Sequence, residues 1–208
     1  MLKILGRSNS INVRKVLWLC AELDLAHEHE EWGREPLSLA APEFRALNPN
    51  GLVPVVLDDG FVLWESNAIC RYLAARHGRA DLLPVEVRER ARVEQWMDWQ
   101  TTELNNAWCY AFLGLVRMSP RHTDAAAIAA SLVAWNRHMA MLEAQLAKTG
   151  AYVAGTTFTL ADIVIGLATH RWRSTPMADR PNLPAVLAYE ARLFERPGYR
   201  LHVRNGTP

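Results

Sequence analysis

The hydrophobic pattern of this chain changes once, close to residue 80, and that change sets the fold class. Before it, short runs rich in Val, Leu and Ile alternate with segments of helical spacing; from Val85 onward only helical spacing is found. The sequence therefore predicts two domains. An α/β domain covers residues 1–78, and an all-α helical domain covers residues 85–208, with a linker between them.

The elements of the first domain are predicted in the order βαβ, then ββα. They are a strand over residues 2–6, a helix over 11–23, a strand over 27–32, a short helix over 42–47, strands over 52–57 and 61–64, and a helix over 66–77. The sequence Asp58-Asp59-Gly60 is typical of a hairpin turn and would join the last two strands.

Long helices dominate the second domain. The apolar spacing predicts one helix over residues 93–112 and another over 125–148. Thr159 and Asp162 match a capping box, which predicts a helix start there. Pro181 and Pro184 are expected to open a last helical stretch, which Pro197 would break.

Composition narrows the classes of partner. The chain has 208 residues, with 23 Lys and Arg against 22 Asp and Glu and a net charge of +1. No field of one sign exists to hold nucleic acid or an anionic membrane, and no apolar run is long enough to span a bilayer or to serve as a secretory signal. We expect a cytoplasmic protein with small-molecule partners.

The cysteines give no sign of a disulfide frame or a zinc cluster. Cys20, Cys70 and Cys109 are far apart in helix-like segments and form no C-x-x-C pair. Buried thiols are the expected state, because free cysteine is among the most buried residue types. No metal site is predicted.

Two short runs carry the most chemical information: Asn48-Pro49-Asn50-Gly51-Leu52-Val53-Pro54 and Glu65-Ser66-Asn67-Ala68-Ile69. Pro54 at the head of a strand would leave the backbone N–H and C=O of Val53 available to pair with a peptide. Glu65 and Ser66 fall at a strand-to-helix junction, where free N–H groups and the helix dipole favour a carboxylate. Together with the Glu65 charge, this junction suits an α-amino-acid head group with an ammonium and a carboxylate.

The pattern N-P-x-G-x-V-P followed by E-S-x-A-I resembles the glutathione-binding site of the glutathione transferase superfamily. The likeness spans the chain, because the first 78 residues resemble a thioredoxin-like domain and F-T-L-A-D-I resembles the family's capping segment. The chain is most similar to bacterial transferases whose first helix starts S-x-N-V-x-K-V. The resemblance implies that glutathione is a cosubstrate: Val53 would pair with the cysteinyl unit, Pro54 would be cis, and Glu65 and Ser66 would hold the γ-glutamyl head.

The group that activates the glutathione thiol has several candidates. Some branches of the family use an early tyrosine and others a cysteine, but no Tyr precedes Tyr72 and the segment before the first helix has no Cys. The serine-type branches place a hydroxyl where Ser10 stands; a hydroxyl and the positive helix end both favour a thiolate. Asn12, Ser8 and, as a further alternative, Arg7 are also polar and close by. Ser10 serving only as a helix cap remains open.

The resemblance leaves the glycyl end of glutathione without its usual partner. Many relatives carry Gln or Lys at the position of Leu52 to help hold the glycine carboxylate, and leucine cannot do this. Arg34, Arg45 and Asn50 are the candidates for that role.

The electrophile pocket is expected in a cleft between the two domains. The candidates are the aromatic residues Trp108, Tyr110, Phe112 and Trp172, although aromatic residues at helical spacing are also typical of a helical core. The implied activity is conjugation of glutathione to a small hydrophobic electrophile, a detoxification reaction, in a homodimer as is usual in the family. The alternatives are a glutathione-dependent dehalogenase, isomerase or peroxidase, or a non-catalytic binding or regulatory module.

Overall fold

A computed structural model describes residues 1–204 and residue 206, and their contacts form two compact units. Residues 1–83 and 197–204 form the first unit, and residues 84–196 form the second. The fold class is confirmed, since a four-stranded mixed sheet with helices comes first and helices follow. The predicted helical domain ran to residue 208, whereas the contacts group the segment from Pro197 with the first unit; residues 205, 207 and 208 of that range lie outside the described residues.

The sheet of the first unit has the order β2-β1-β3-β4. Its strands are β1 (Leu2–Leu5), β2 (His27–Glu30), β3 (Val55–Asp58) and β4 (Phe61–Trp64), and its helices include α1 (Ile11–Glu22), α2 (Pro42–Leu47) and α3 (Ser66–Arg76). Strand β1 runs parallel to β2 and antiparallel to β3, and β3 pairs with β4 in a hairpin. The turn has positive φ at Asp59 (49°) and Gly60 (88°), as a type I′ turn requires.

Strand β3 begins at Val55, later than predicted, because Pro54 has no N–H for a ladder hydrogen bond. Behind the sheet, Leu5, Trp32, Phe44 and Val55 form a buried apolar cluster. This cluster holds the sheet and the loop before β3 together, so the backbone at the carboxyl end of β1 and the start of β3 has a fixed position.

The helical stretch that opens at Pro184 ends at Phe194, before Pro197 as expected, and Pro197 itself starts a further helix. Helix α9 (Pro197–His202) packs on α1, with the ring centroids of Trp18 and Tyr199 5.3 Å apart in an edge-on contact. A Cβ at Gly198 would lie 2.5 Å from Trp18 Cδ1, so only glycine permits this approach. The fixed φ of proline suits the first position of a helix, which explains the start.

The second unit consists of α4 (Val87–Trp99), α5 (Asn105–Leu115), α6 (Ala125–Thr149), α7 (Leu160–Ser174) and α8 (Pro184–Phe194). The predicted helix over 93–112 starts earlier, at Val87, and a π-helical segment, Gln100–Leu104, lies between α4 and α5. All residues of α7 from Leu160 to Trp172 are buried. A helix that is buried on every side belongs at the centre of its unit.

The predicted capping box at the start of α7 is confirmed. The Asp162 carboxylate is fully buried and accepts hydrogen bonds from the N–H groups of Val153 (2.9 Å) and Thr159 (2.8 Å), from the Thr159 hydroxyl (3.1 Å) and from the Tyr189 hydroxyl (3.1 Å). Burial raises the pKa of Asp162 to about 6, although these hydrogen bonds act in the opposite direction. The carboxylate therefore joins α7 to the preceding loop and to α8.

The cysteine expectation holds for two of the three residues. Cys20 and Cys70 are buried, and burial raises the pKa of each thiol to about 12. The expectation is wrong for Cys109, which is exposed on α5.

Within residues 1–204 and 206, no helix is long and apolar enough to cross a membrane. The same residues contain no group of three or more His, Cys, Asp or Glu side chains that is arranged to hold a metal ion.

Candidate functional site

A small cavity in the first unit brings together most of the residues predicted to bind glutathione. Its volume is about 40 Å³, and it is lined by Asn12, Asn48, Leu52, Val53, Pro54, Glu65 and Ser66. These side chains come from the first turn of α1, the loop before β3 and the start of α3. Ser8, Ser10 and Asn50 do not line this cavity.

Val53 presents its backbone as the motif predicted. The bond between Val53 and Pro54 is cis, as the resemblance implied. In the described part of the chain, neither the N–H nor the C=O of Val53 has a backbone partner. An extended peptide lying against this residue would therefore find one donor and one acceptor to pair with.

Asn48, which sequence reasoning treated only as part of a turn, holds this loop in place. It is buried, and its amide donates to the carbonyl of Leu52 (2.8 Å). Its side-chain oxygen accepts from the backbone N–H (3.0 Å) and the amide (3.2 Å) of Asn50. Asn50 therefore serves the loop itself. The signal that could have revealed this role is an Asn two residues before another turn residue, the spacing of an Asx turn.

Glu65 and Ser66 lie at the junction between β4 and α3. Glu65 has φ 72° and ψ 108°, a conformation that is uncommon outside glycine and occurs often at functional sites. Its side chain is exposed and makes no cap hydrogen bond to α3. Ser66 is buried and opens the helix, so its hydroxyl lies beside the free N–H groups of the first turn. The junction can thus offer a negative charge and several hydrogen-bond donors to one zwitterionic group.

The segment before α1 separates the candidates for thiol activation. Ser10 is the N-cap residue of α1, yet its side chain makes no cap hydrogen bond. The Ser8 N–H instead donates to both carboxylate oxygens of Glu31, at 3.2 Å each. Burial acts to raise the pKa of Glu31, but hydrogen bonds from the Ser8 hydroxyl and N–H and the charge of Arg34 outweigh it, so that pKa is lowered. Ser8 therefore serves Glu31, whereas the Ser10 hydroxyl makes no cap hydrogen bond to α1 and Asn12 lines the cavity.

The two arginines considered for the glycyl carboxylate differ in their partners. Arg34 forms an ion pair with Glu31, with 3.4 Å between Nε and the carboxylate oxygen. Arg45 has no carboxylate partner in the described structure; its Nη1 donates to the carbonyl of Pro49 (2.8 Å). The guanidinium covers Gly51 so closely that a Cβ there would lie 2.5 Å from Arg45 Cζ.

The residues predicted for the electrophile pocket serve as packing groups of the helical unit. Trp108, Phe112 and Trp172 are buried, and Tyr110 is half-buried with its ring 4.9 Å from that of His122. Rings of Trp108 and Phe112 lie 5.4 Å apart in an edge-on contact. The Trp172 indole donates to the Asn136 side chain (2.9 Å). Their role toward an electrophile stays a prediction.

Comparison with known proteins matches both halves of the chain. The model of the glutathione S-transferase N-terminal domain matches residues 9–76, and that of the C-terminal domain matches residues 125–192. Glutathione S-transferase GstB of Escherichia coli strain K12 is 40% identical over 202 residues, which cover 96% of this chain and 96% of that protein.

Solved structures agree with these matches. The theta class glutathione S-transferase from Xanthomonas axonopodis pv. citri, solved with glutathione bound, has a TM-score of 0.92 and 40% identity, covering 100% of this chain and 99% of that one. Glutathione transferase F7 from Populus trichocarpa has a TM-score of 0.89 at 27% identity, with 100% of each chain covered. Because the sequence identity extends over nearly the whole of both chains and both domain models of the family match, this chain belongs to the glutathione S-transferase family.

Proposed function

We propose that this glutathione transferase binds glutathione across the surface of the first unit around this small cavity, and transfers its thiolate to a small hydrophobic electrophile. The observation that supports this is the convergence of Val53, Glu65 and Ser66 on one cavity, where the N–H and C=O of Val53 have no backbone partner among the described residues. The Val53 backbone pairs with the cysteinyl unit of the peptide. The γ-glutamyl ammonium lies against Glu65, and its carboxylate accepts from Ser66 and the first turn of α3.

Removing either head-group contact should weaken glutathione binding. Ser66→Ala and Glu65→Gln should each cost about 1 to 3 kcal/mol, because a charged group of the ligand loses its partner. Isothermal titration calorimetry with glutathione measures this directly. Glutathione lacking the α-amino group is the matched control: Glu65→Gln should leave its affinity unchanged. If either variant binds glutathione as tightly as the parent, the head-group assignment is wrong.

Arg45 is our proposal for the glycyl carboxylate, in place of the polar residue that many relatives have where Leu52 stands. Its guanidinium is held beside the loop that precedes Val53 by the Pro49 carbonyl, and it has no acidic partner in the described residues. Arg34 is the weaker candidate because Glu31 already pairs with it.

Arg45→Gln should therefore weaken binding of glutathione by about 1 kcal/mol, the usual size for an exposed charged contact. It should leave γ-glutamylcysteine, which lacks the glycine, with its parental affinity. Arg34→Gln is the matched control, since it removes the same charge from a neighbouring exposed arginine. Equal losses for both ligands, or a larger effect from Arg34→Gln, would argue against Arg45.

Thiol activation is assigned to Ser10, with Asn12 as the alternative. The Ser10 hydroxyl stands at the positive end of α1 and is not used as a cap, so it can donate to sulfur. Asn12 also carries a donor and lines the cavity itself.

The remaining proposals rest on the family resemblance. Trp108, Tyr110, Phe112 and Trp172 contribute to electrophile binding, the chain forms a homodimer, and it acts in detoxification in the cytoplasm. A turnover panel of aryl halides, haloacids, epoxides, isothiocyanates and hydroperoxides with glutathione tests the reaction class. Measurable glutathione binding with no turnover in any arm would favour a non-catalytic module over an enzyme.

A further inference from the structure

A second cavity, open to solvent on one side, lies in the helical unit at the carboxyl-terminal end of α7. Its volume is about 370 Å³, large enough for a small organic molecule. Its walls are of two kinds. Arg173, Arg180 and Asn182 supply polar groups, and Met177, Leu183 and Leu187 supply apolar surface.

Arg180 contributes a positive charge to the lining of this cavity. Its guanidinium has no carboxylate partner among the described residues. Its Nη2 donates to the carbonyl oxygens of Trp172 (2.9 Å) and Thr175 (2.5 Å), which end α7. Its Nε is buried and has no hydrogen-bond partner among the described residues. Arg180 thus uses Nη2 to cap α7, while its buried Nε–H donates to no group among the described residues.

Arg173 adds a second positive charge to the lining of this cavity. Its Nε lies 3.4 Å from a carboxylate oxygen of Glu190, and its side chain is 41% exposed. Burial and the charge of Arg173 lower the pKa of Arg180, and the charge of Glu190 only partly opposes them. Arg173 and Arg180 thus bring two positive charges to the lining of this cavity, with Glu190 as the paired carboxylate of Arg173, and an anion bound between them would relieve their repulsion.

We propose that this cavity binds an organic anion, with its oxyanion head on Arg173 and Arg180 and its apolar body on Met177, Leu183 and Leu187. A planar carboxylate, a sulfonate or a phosphate can accept from both guanidinium groups, and the Asn182 amide can supply a further donor. The apolar wall distinguishes this ligand from a simple inorganic ion, which would gain nothing from burying that surface.

The test uses the full chain, 2-naphthoate as the probe and 2-naphthamide as its neutral counterpart. Calorimetry should show saturable binding of 2-naphthoate, at least tenfold tighter than that of the amide. Arg173→Gln should weaken 2-naphthoate binding about tenfold or more, and raising the salt concentration should weaken it in the parent. Arg137→Gln, which removes an exposed arginine of α6 that does not line the cavity, should bind like the parent.

Arg180→Gln should also weaken binding, but because Arg180 caps α7 this variant is read together with its melting temperature. The ¹H–¹⁵N signals of the arginine Nε groups provide a readout that a merely structural role would not move. The signals of Arg173 and Arg180 should shift on titration with 2-naphthoate, while that of Arg137 stays fixed. The proposal is overturned if 2-naphthoate fails to bind the parent, if the amide binds equally well, or if Arg173→Gln retains parental affinity.

Discussion

Ser10→Ala should raise the pKa of enzyme-bound glutathione by one unit or more, and should lower turnover at pH 7 about threefold for a shift of one unit and about twenty-five-fold for a shift of two. A free thiol titrates near 8.5, so the bound thiol is largely ionised at neutral pH only if the protein stabilises the thiolate. A hydroxyl donor and the end of α1 together can supply the roughly 2.7 kcal/mol that a shift of about two units requires. Thiolate absorbance of the bound cosubstrate, titrated with pH, measures the shift.

The structure separates this effect from damage to the helix. The Ser10 side chain makes no cap hydrogen bond, so Ser10→Ala should change the free energy of unfolding far less than the 0.5 to 2 kcal/mol of an ordinary lost cap. Affinity for glutathione should remain nearly intact, and turnover should recover at a pH above the new pKa.

Asn12→Ala and Ser8→Ala are the matched comparisons. Ser8→Ala should leave the thiol titration unchanged, because its hydroxyl and N–H serve Glu31. If Asn12→Ala shifts the titration while Ser10→Ala does not, the activating role belongs to Asn12, which lines the cavity.

Asp162→Ala should lower the free energy of unfolding by about 3 to 5 kcal/mol, the largest stability effect we expect from a single substitution. The carboxylate accepts hydrogen bonds from Val153, Thr159 and Tyr189 in a fully buried place. Alanine would leave these buried donors without an acceptor, and each such group costs about 1 to 3 kcal/mol. Urea unfolding followed by circular dichroism measures the loss.

Asp162→Asn is the control of similar shape, and it should lower the free energy of unfolding less than Asp162→Ala because it keeps one acceptor oxygen.

The pH dependence of this loss provides a second check. The folded-state pKa, raised by burial to about 6, lies above the value near 3.9 of an unfolded aspartate. The contribution of Asp162 to stability is therefore fully present below about pH 4 and declines as the pH rises through about 6. The loss on substitution by alanine should be larger at pH 5 than at pH 8. A constant loss, or one below about 1 kcal/mol, would contradict this account.

The features that were predictable are those whose signals are short in sequence. The capping box needs only Thr159 and Asp162, and the hairpin needs only Asp58-Asp59-Gly60. The motif around Val53 and Pro54 likewise indicated a peptide-pairing backbone, because proline acts on its immediate neighbours.

Other features depend on residues far apart in the chain, and no local signal specifies them. The Tyr189 hydroxyl reaches Asp162 only because α8 packs beside α7, and Gly198 lets α9 approach Trp18. The availability of the Ser10 hydroxyl depends on the backbone before α1, and Cys109 is exposed by the orientation of its helix.

The amino-acid sequence by itself determined the class of fold, the main helices and strands, and the motifs that identify the family, because periodicity, capping and turn chemistry act over a few residues. Only the tertiary structure decided which of the motif residues share a cavity, how Asn48 holds the loop, and that Arg173 and Arg180 line one cavity. Those outcomes follow from packing between elements, and packing depends on contacts whose partners cannot be read from either segment alone.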